Sequence, residues 1–211
     1  MSNRNNKKFE LRGINHLALV CEDMARTVDF YSNVLGMPLT KTIDLPGGMG
    51  QHFFFDIGNG DSLAFFWFPE APDRAPGVAS PAHNVGEGPI ATAHGSMNHI
   101  AFDVAPEKME EYRERLQAKG IDVTEIVNHD NSPMQMSASL TDDVFVRSMY
   151  FFDPDGVLLE FAAWTRDLRP DEAAHEPATH EDKQRYLEVQ REFMARVEAA
   201  KRQRADRTRR E

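Results

Sequence analysis

One cysteine, Cys21, stands in 211 residues, which excludes an internal disulfide framework and any metal site built from several thiolates. A bound metal would have to rest on histidine and carboxylate side chains. Long apolar runs are missing too. No stretch approaches the roughly 18 continuous apolar residues of a membrane span, and residues 1–8, MSNRNNKK, have no apolar run behind their positive charges to make a signal peptide. A cytoplasmic protein with no membrane partner is expected. Positive charge is scarce: Lys and Arg number 24 against 34 Asp and Glu, a formal net charge of −10. The excess of base is confined to residues 196–211, which carry +4 and leave −14 on the remainder. A nucleic-acid groove in the main body is therefore not expected, and a small-molecule partner is.

What the chain does have is an internal repeat. Residues 14–20 read INHLALV and residues 97–104 read MNHIAFDV, so Asn15-His16 and Asn98-His99 are equivalent at a displacement of 83 residues. After the first copy, Met24, Val28, Tyr31 and Leu35 recur at helical spacing before Gly36-Met37-Pro38. After the second, Pro106 suits a first helical turn, Met109, Tyr112 and Leu116 form a stripe, and Gly120 ends it. Each copy closes with a hairpin, 53–56 with 63–68 around Gly58-Asn59-Gly60, and 149–152 with 157–162 around Asp153-Pro154-Asp155-Gly156. One more strand per copy, near 39–43 and 123–127, makes each a βαβββ unit. The expected fold class is α+β: two tandem βαβββ modules, about 11–68 and 97–165, form a curved mixed sheet around a metal site. A linker over 69–96, with a lid role, joins the modules into a domain spanning 1–168. Residues 169–211 form a C-terminal helical extension in which Tyr186, Val189, Phe193 and Val197 share one face, expected to pack on the body or on a second subunit.

Of eight histidines, only His16 and His99 fall at repeat-equivalent positions inside strands, where a pseudo-twofold axis would bring them face to face. Glu160 interrupts the apolar strand VLLEFA, and a charge buried there calls for a cation or a hydrogen-bond partner. Two imidazoles and one carboxylate occupy one face of an octahedron and leave up to three cis positions open, which is a catalytic geometry.

The paired Asn-His strands, the run DMARTVDFYSNVLGM (23–37) and the run YFFDPDGVLLE (150–160) resemble the vicinal oxygen chelate superfamily, also called the glyoxalase/bleomycin-resistance/extradiol-dioxygenase family, over about residues 11–165. The resemblance implies a metal held by residues of the first and last strands of paired modules. In the glyoxalase-like pattern the first module supplies a fourth ligand at the position that aligns with Ala64. Alanine cannot bind a metal, so the implied ligands are His16, His99 and Glu160, similar to the two-His, one-Glu iron site of extradiol ring-cleaving dioxygenases. The implied cofactor is a divalent metal, Fe(II), with Mn, Zn, Ni and Co as alternatives, and the implied assembly is a homodimer. Tyr150 matches the extradiol tyrosine that hydrogen-bonds the substrate oxygen. The signature's upstream histidine is replaced by Thr-Asp-Asp at 141–143, and a second acid-base histidine by Asp61. His52 and His129, both suited to acid-base work near neutrality, are further candidates beside Asp61. Phe54, Phe65, Trp67 and Met136 are expected ring neighbours. Besides a dioxygenase acting on a catechol-like molecule, a glyoxalase-type lyase or isomerase and a non-catalytic binding protein of the bleomycin-resistance type are the alternatives.

Overall fold

The computed structural model describes residues 8–208; residues 1–7 and 209–211, and the side chains of 170, 198, 200, 201 and 203 onward, lie outside the description. The chain divides into two compact units, Met1–Leu168 and Arg169–Glu211.

The first unit holds two βαβββ modules. In β1 (His16–Val20) the apolar Leu17 and Leu19 pack on the core, while His16, Ala18 and Val20 are exposed on the other face. Helix α1 (Met24–Val28) starts where the Asp23 side chain accepts the Arg26 N–H at 3.0 Å. The spacing predicts a regular helix to Leu35, but the chain widens into a π-helical turn over Asp29–Val34, with Leu35 N–H donating to the Phe30 carbonyl at 3.0 Å. That widening buries the adjacent Phe30 and Tyr31 together, which the narrower α-helical face does not favour. Strands β2 (Leu39–Asp44), β3 (Gln51–Gly58) and β4 (Asp61–Trp67) follow. The β3–β4 turn has φ of +54° at Asn59 and +82° at Gly60, the left-handed pair that suits a tight hairpin. The sheet runs β1-β4-β3-β2, with β1 parallel to β4.

The second module repeats this order with β5 (Ile100–Asp103), α2 (Met109–Ala118), β6 (Val127–His129), β7 (Val146–Phe152) and β8 (Leu158–Trp164), arranged β5-β8-β7-β6. The two mixed four-stranded sheets with few helices are the α+β, two-module architecture that the repeat predicts. One strand departs from expectation. Over 123–127 there is a single bridge, Val123 to Phe151, and the regular strand begins at Val127. Thr124 interrupts the ladder: its hydroxyl accepts the Tyr150 N–H at 3.0 Å, and its carbonyl also takes the Arg113 guanidinium at 2.8 Å.

The Asp153–Gly156 turn of the second module docks on α1 of the first. The Tyr31 hydroxyl, fully buried, donates to Asp153 Oδ2 at 3.0 Å; Arg26 pairs with Asp155; and the Glu22 N–H approaches Asp155 Oδ2 at 3.4 Å. Asp153 Oδ1 meanwhile accepts the N–H groups of Asp155 and Val157 at 2.9 and 2.7 Å, which shapes the turn itself. A continuous core runs through both modules, including Tyr31, Phe55 and Phe65 of the first and Met149, Phe151 and Leu159 of the second.

The second unit is built on α3 (Lys183–Thr208), preceded by a Thr179/Asp182 capping box. Tyr186, Val189 and Phe193 stand on this helix with exposed side chains. Among the described residues no helix is long and apolar enough to cross a membrane.

Candidate metal and substrate site

Strand alternation assigns each side chain to a face. In the first sheet, His16 pairs with Ser62 and Ser62 with Asp56, so His16, Ala18, Ser62, Ala64, Phe66, Phe54 and His52 share the face turned away from α1. Ring contacts agree: the His16 and His52 rings lie 5.6 and 4.3 Å from Phe54, and His52 stacks on Phe66 at 3.6 Å. In the second sheet, Glu160 pairs with Ala101 and with Tyr150, which puts Glu160, Tyr150, Ser148 and His99 on one face.

Here two predicted ligands meet. His99 Nε2 lies 2.9 Å from Glu160 Oε2, with the histidine exposed to solvent and the carboxylate only 8% exposed. His99 Nδ1 is 2.7 Å from Asn98 Oδ1, and the Asn98 amide nitrogen donates to the Ile90 carbonyl at 2.6 Å. With its nitrogen committed to Ile90, the amide presents its oxygen to the ring, so Nδ1 carries the proton and donates it. The lone pair of a neutral ring is then at Nε2, facing a carboxylate oxygen. Two acceptors at that distance need a positive centre between them, a proton or a metal ion, and the nitrogen and oxygen donors suit a first-row divalent cation. Ser148, buried on the same face, adds a polar atom beside the pair. The residues therefore fit a bound metal.

Burial opposes the charge of Glu160, but His99, Ser148 and Tyr150 together outweigh it and hold the carboxyl below its ordinary range. Tyr150 responds the other way: burial first, then the Glu160 charge, push its hydroxyl up to about 12. It remains a neutral phenol, able to donate a hydrogen bond, throughout the physiological range.

His16 repeats the Asn-His arrangement, with Nδ1 2.8 Å from Asn15 Oδ1. It stands in the first sheet, apart from the His99–Glu160 pair, and among the described residues no group of three His, Cys, Asp or Glu side chains could hold a metal ion. The other candidates are dispersed. His52 is buried in its aromatic stack with Nδ1 3.1 Å from the Phe65 carbonyl. Its rung, Phe66 with Val20, is four residues from His16, roughly 13 Å along the strand. His129 pairs with Val146, likewise four residues from Tyr150. Asp61 opens β4 on the opposite face from Ser62, beside Gly13.

Two expected ring neighbours need correction. Phe65 and Trp67 alternate onto the core side of β4, where Phe65 lies 4.8 Å from the Tyr31 ring and Trp67 donates to the Glu22 carbonyl at 3.0 Å. Phe66 takes their place on the His16 face with Phe54, while Met136 is exposed at 51%. Sequence reasoning missed the parts played by Asn98 and Ser148. The recurrence of Asn before each histidine, and a serine two residues before Tyr150 on the same strand face, were the available signals.

Among solved structures, a glyoxalase family protein from Enterococcus faecalis is 22% identical, covering 72% of this chain and 97% of its own, with a TM-score of 0.49. The fosfomycin resistance protein FosX from Listeria monocytogenes, complexed with Mn(II) and sulfate, is 22% identical over 74% of this chain and 94% of its own, with a TM-score of 0.46. FosX from Mesorhizobium loti is 20% identical, with coverages of 75% and 94% and a TM-score of 0.45. The family model described as Glyoxalase/Bleomycin resistance protein/Dioxygenase superfamily matches residues 13–161, well over half of the chain, and the protein belongs to that superfamily.

Proposed function

We propose that this protein is a metal-dependent enzyme that cleaves a catechol-like ring beside its two hydroxyls, an extradiol-type dioxygenase, with Fe(II) held by His16, His99 and Glu160. One observation carries this reading. The His99–Glu160 pair presents a nitrogen and an oxygen to a common point, while the equivalent rung of the first sheet holds Ala64, which donates nothing. Three protein ligands leave coordination positions for two adjacent substrate oxygens and a second reactant. When bound, the metal supplies Lewis acidity and brings the reactants together.

The chain's own residues do the rest. Tyr150, neutral because its hydroxyl titrates at about 12, donates a hydrogen bond to a substrate oxygen beside Glu160. Phe54, whose ring lies 5.6 Å from His16, gives an apolar surface that orients a planar ring and excludes water. His16 comes from a second copy. Strands β1 and β5 are both sheet edges, and His16, Ala18, Ala101 and Asp103 are exposed on them. A twofold dimer that joins the β1 edge of one copy to the β5 edge of the other completes two equivalent sites. Anaerobic reconstitution with Fe(II), followed by oxygen uptake with a panel of catechols, tests the reaction: uptake with at least one is expected, and none from metal-loaded protein contradicts it.

A further inference from the structure

The linker between the modules reaches the candidate ligand without touching it. Asn98 Nδ2 donates to the Ile90 carbonyl at 2.6 Å, and Asn98 Oδ1 accepts from His99 Nδ1 at 2.7 Å. The same linker holds the backbone of β7, where Asn84 Nδ2 donates to the Tyr150 carbonyl at 3.4 Å from a buried position. The first module carries the same dipeptide, with Asn15 Oδ1 2.8 Å from His16 Nδ1. A neutral imidazole in solution distributes its proton between two nitrogens, and only the form protonated at Nδ1 offers Nε2 as a ligand. A ring free to choose would spend part of its time with Nε2 protonated, donating to Glu160 instead of binding a cation. We propose that Asn98 is a positioning residue: locked by the Ile90 carbonyl, it fixes His99 in the Nδ1–H form and turns the Nε2 lone pair toward Glu160. The linker thereby sets metal affinity. The consequence for affinity rests on His99 being a metal ligand; the tautomer itself does not.

This separation gives the test two independent arms. In the first, full-length protein labelled with 15N-histidine and freed of metal is observed by NMR at mildly alkaline pH, with the His99 signals identified by their loss in His99→Gln. Wild type is expected to carry a proton on Nδ1, whatever lies between Nε2 and Glu160. Asn98→Leu, which removes the acceptor, is expected to give Nε2–H or a mixture. Asn98→Asp, which keeps an acceptor but cannot donate to Ile90, is expected to keep Nδ1–H. In the second arm, Mn(II) titration of the same proteins is expected to show about 10- to 100-fold weaker binding for Asn98→Leu and near-wild-type binding for Asn98→Asp, with thermal midpoints alike. Retention of both the Nδ1–H form and the wild-type affinity in Asn98→Leu would overturn the proposal. So would a ring without a proton on Nδ1 in wild type or in Asn98→Asp, a comparison that remains decisive if Asn98→Leu does not fold. Absence of Mn(II) binding by wild type together with an intact Nδ1–H ring would remove the metal reading and the affinity claim while leaving the tautomer assignment standing.

Discussion

Ala64 occupies in the first sheet the rung that Glu160 occupies in the second: Ala64 pairs with Ala18, two residues after His16, as Glu160 pairs with Ala101, two residues after His99. The two ladders are in register at this rung, and there the first module has an inert methyl where the second has a carboxylate. Ala64→Glu is expected to add a fourth ligand, tightening divalent-metal binding at least tenfold and lowering oxygen uptake by closing a coordination position. Because Ala64 is fully buried, the larger side chain should lower metal-free stability by about 1–3 kcal/mol, a loss that added metal reverses. Isothermal titration and metal-dependent melting check both parts.

Removing a ligand should separate metal binding from folding. The His99 side chain is 36% exposed, so His99→Ala is expected to lose metal at least tenfold in affinity with only a modest change in melting temperature. Glu160→Gln should likewise lose metal, with a modest fall in melting temperature because the charge that His99, Ser148 and Tyr150 hold against burial is gone. Metal analysis after dialysis and a thermal scan of each variant decide this.

The Asp153 turn makes stability fall with rising pH. Burial, the first cause, raises its carboxyl from an ordinary 3.8 to about 6. The folded chain therefore holds this proton more tightly than the unfolded one. The contribution is fully present below about 4 and declines as pH rises through about 6, by about 3 kcal/mol in all. Asp153→Asn should remove that part of the profile, and the difference between the two denaturation-versus-pH curves is the measurement. A flat difference across this window would contradict the assignment.

Tyr31→Phe deletes the hydroxyl that meets Asp153 at 3.0 Å and leaves a buried carboxyl oxygen short of a donor. A loss of about 1–3 kcal/mol is expected, and it should shrink in the Asp153→Asn background because the two groups share one interaction. Urea denaturation of the four-member cycle checks the coupling.

Much of this architecture was legible in the chain itself. The Asn-His repeat, the Asn59-Gly60 and Asp153–Gly156 turns and the apolar alternation fix two βαβββ modules, and simple alignment brings Ala64 opposite Glu160. What alternation alone leaves open is which face of a uniformly apolar strand meets the core. In LAFFW (63–67) every residue is apolar or aromatic, and only packing against Tyr31 decides that Phe65 points inward and Phe66 toward His16. The widened turn after α1 and the break at Thr124 were likewise hidden, since the contacts found there reach residues distant in sequence, Asp153 from Tyr31 and Tyr150 from Thr124. The separation of His16 from the His99–Glu160 pair was hidden for a larger reason: a repeat announces equivalent positions but not whether one chain or two bring them together.

Mixing variants tests that point, and with it the three-ligand site, most directly. Neither His16→Ala nor His99→Ala is expected to retain metal alone. When the two are unfolded together and refolded as mixed dimers, one site regains His16 from one copy and His99 with Glu160 from the other, so one metal ion per mixed dimer is expected. Full metal content in either variant alone, or no recovery in the mixed dimers, would contradict a site shared by His16, His99 and Glu160 across two copies.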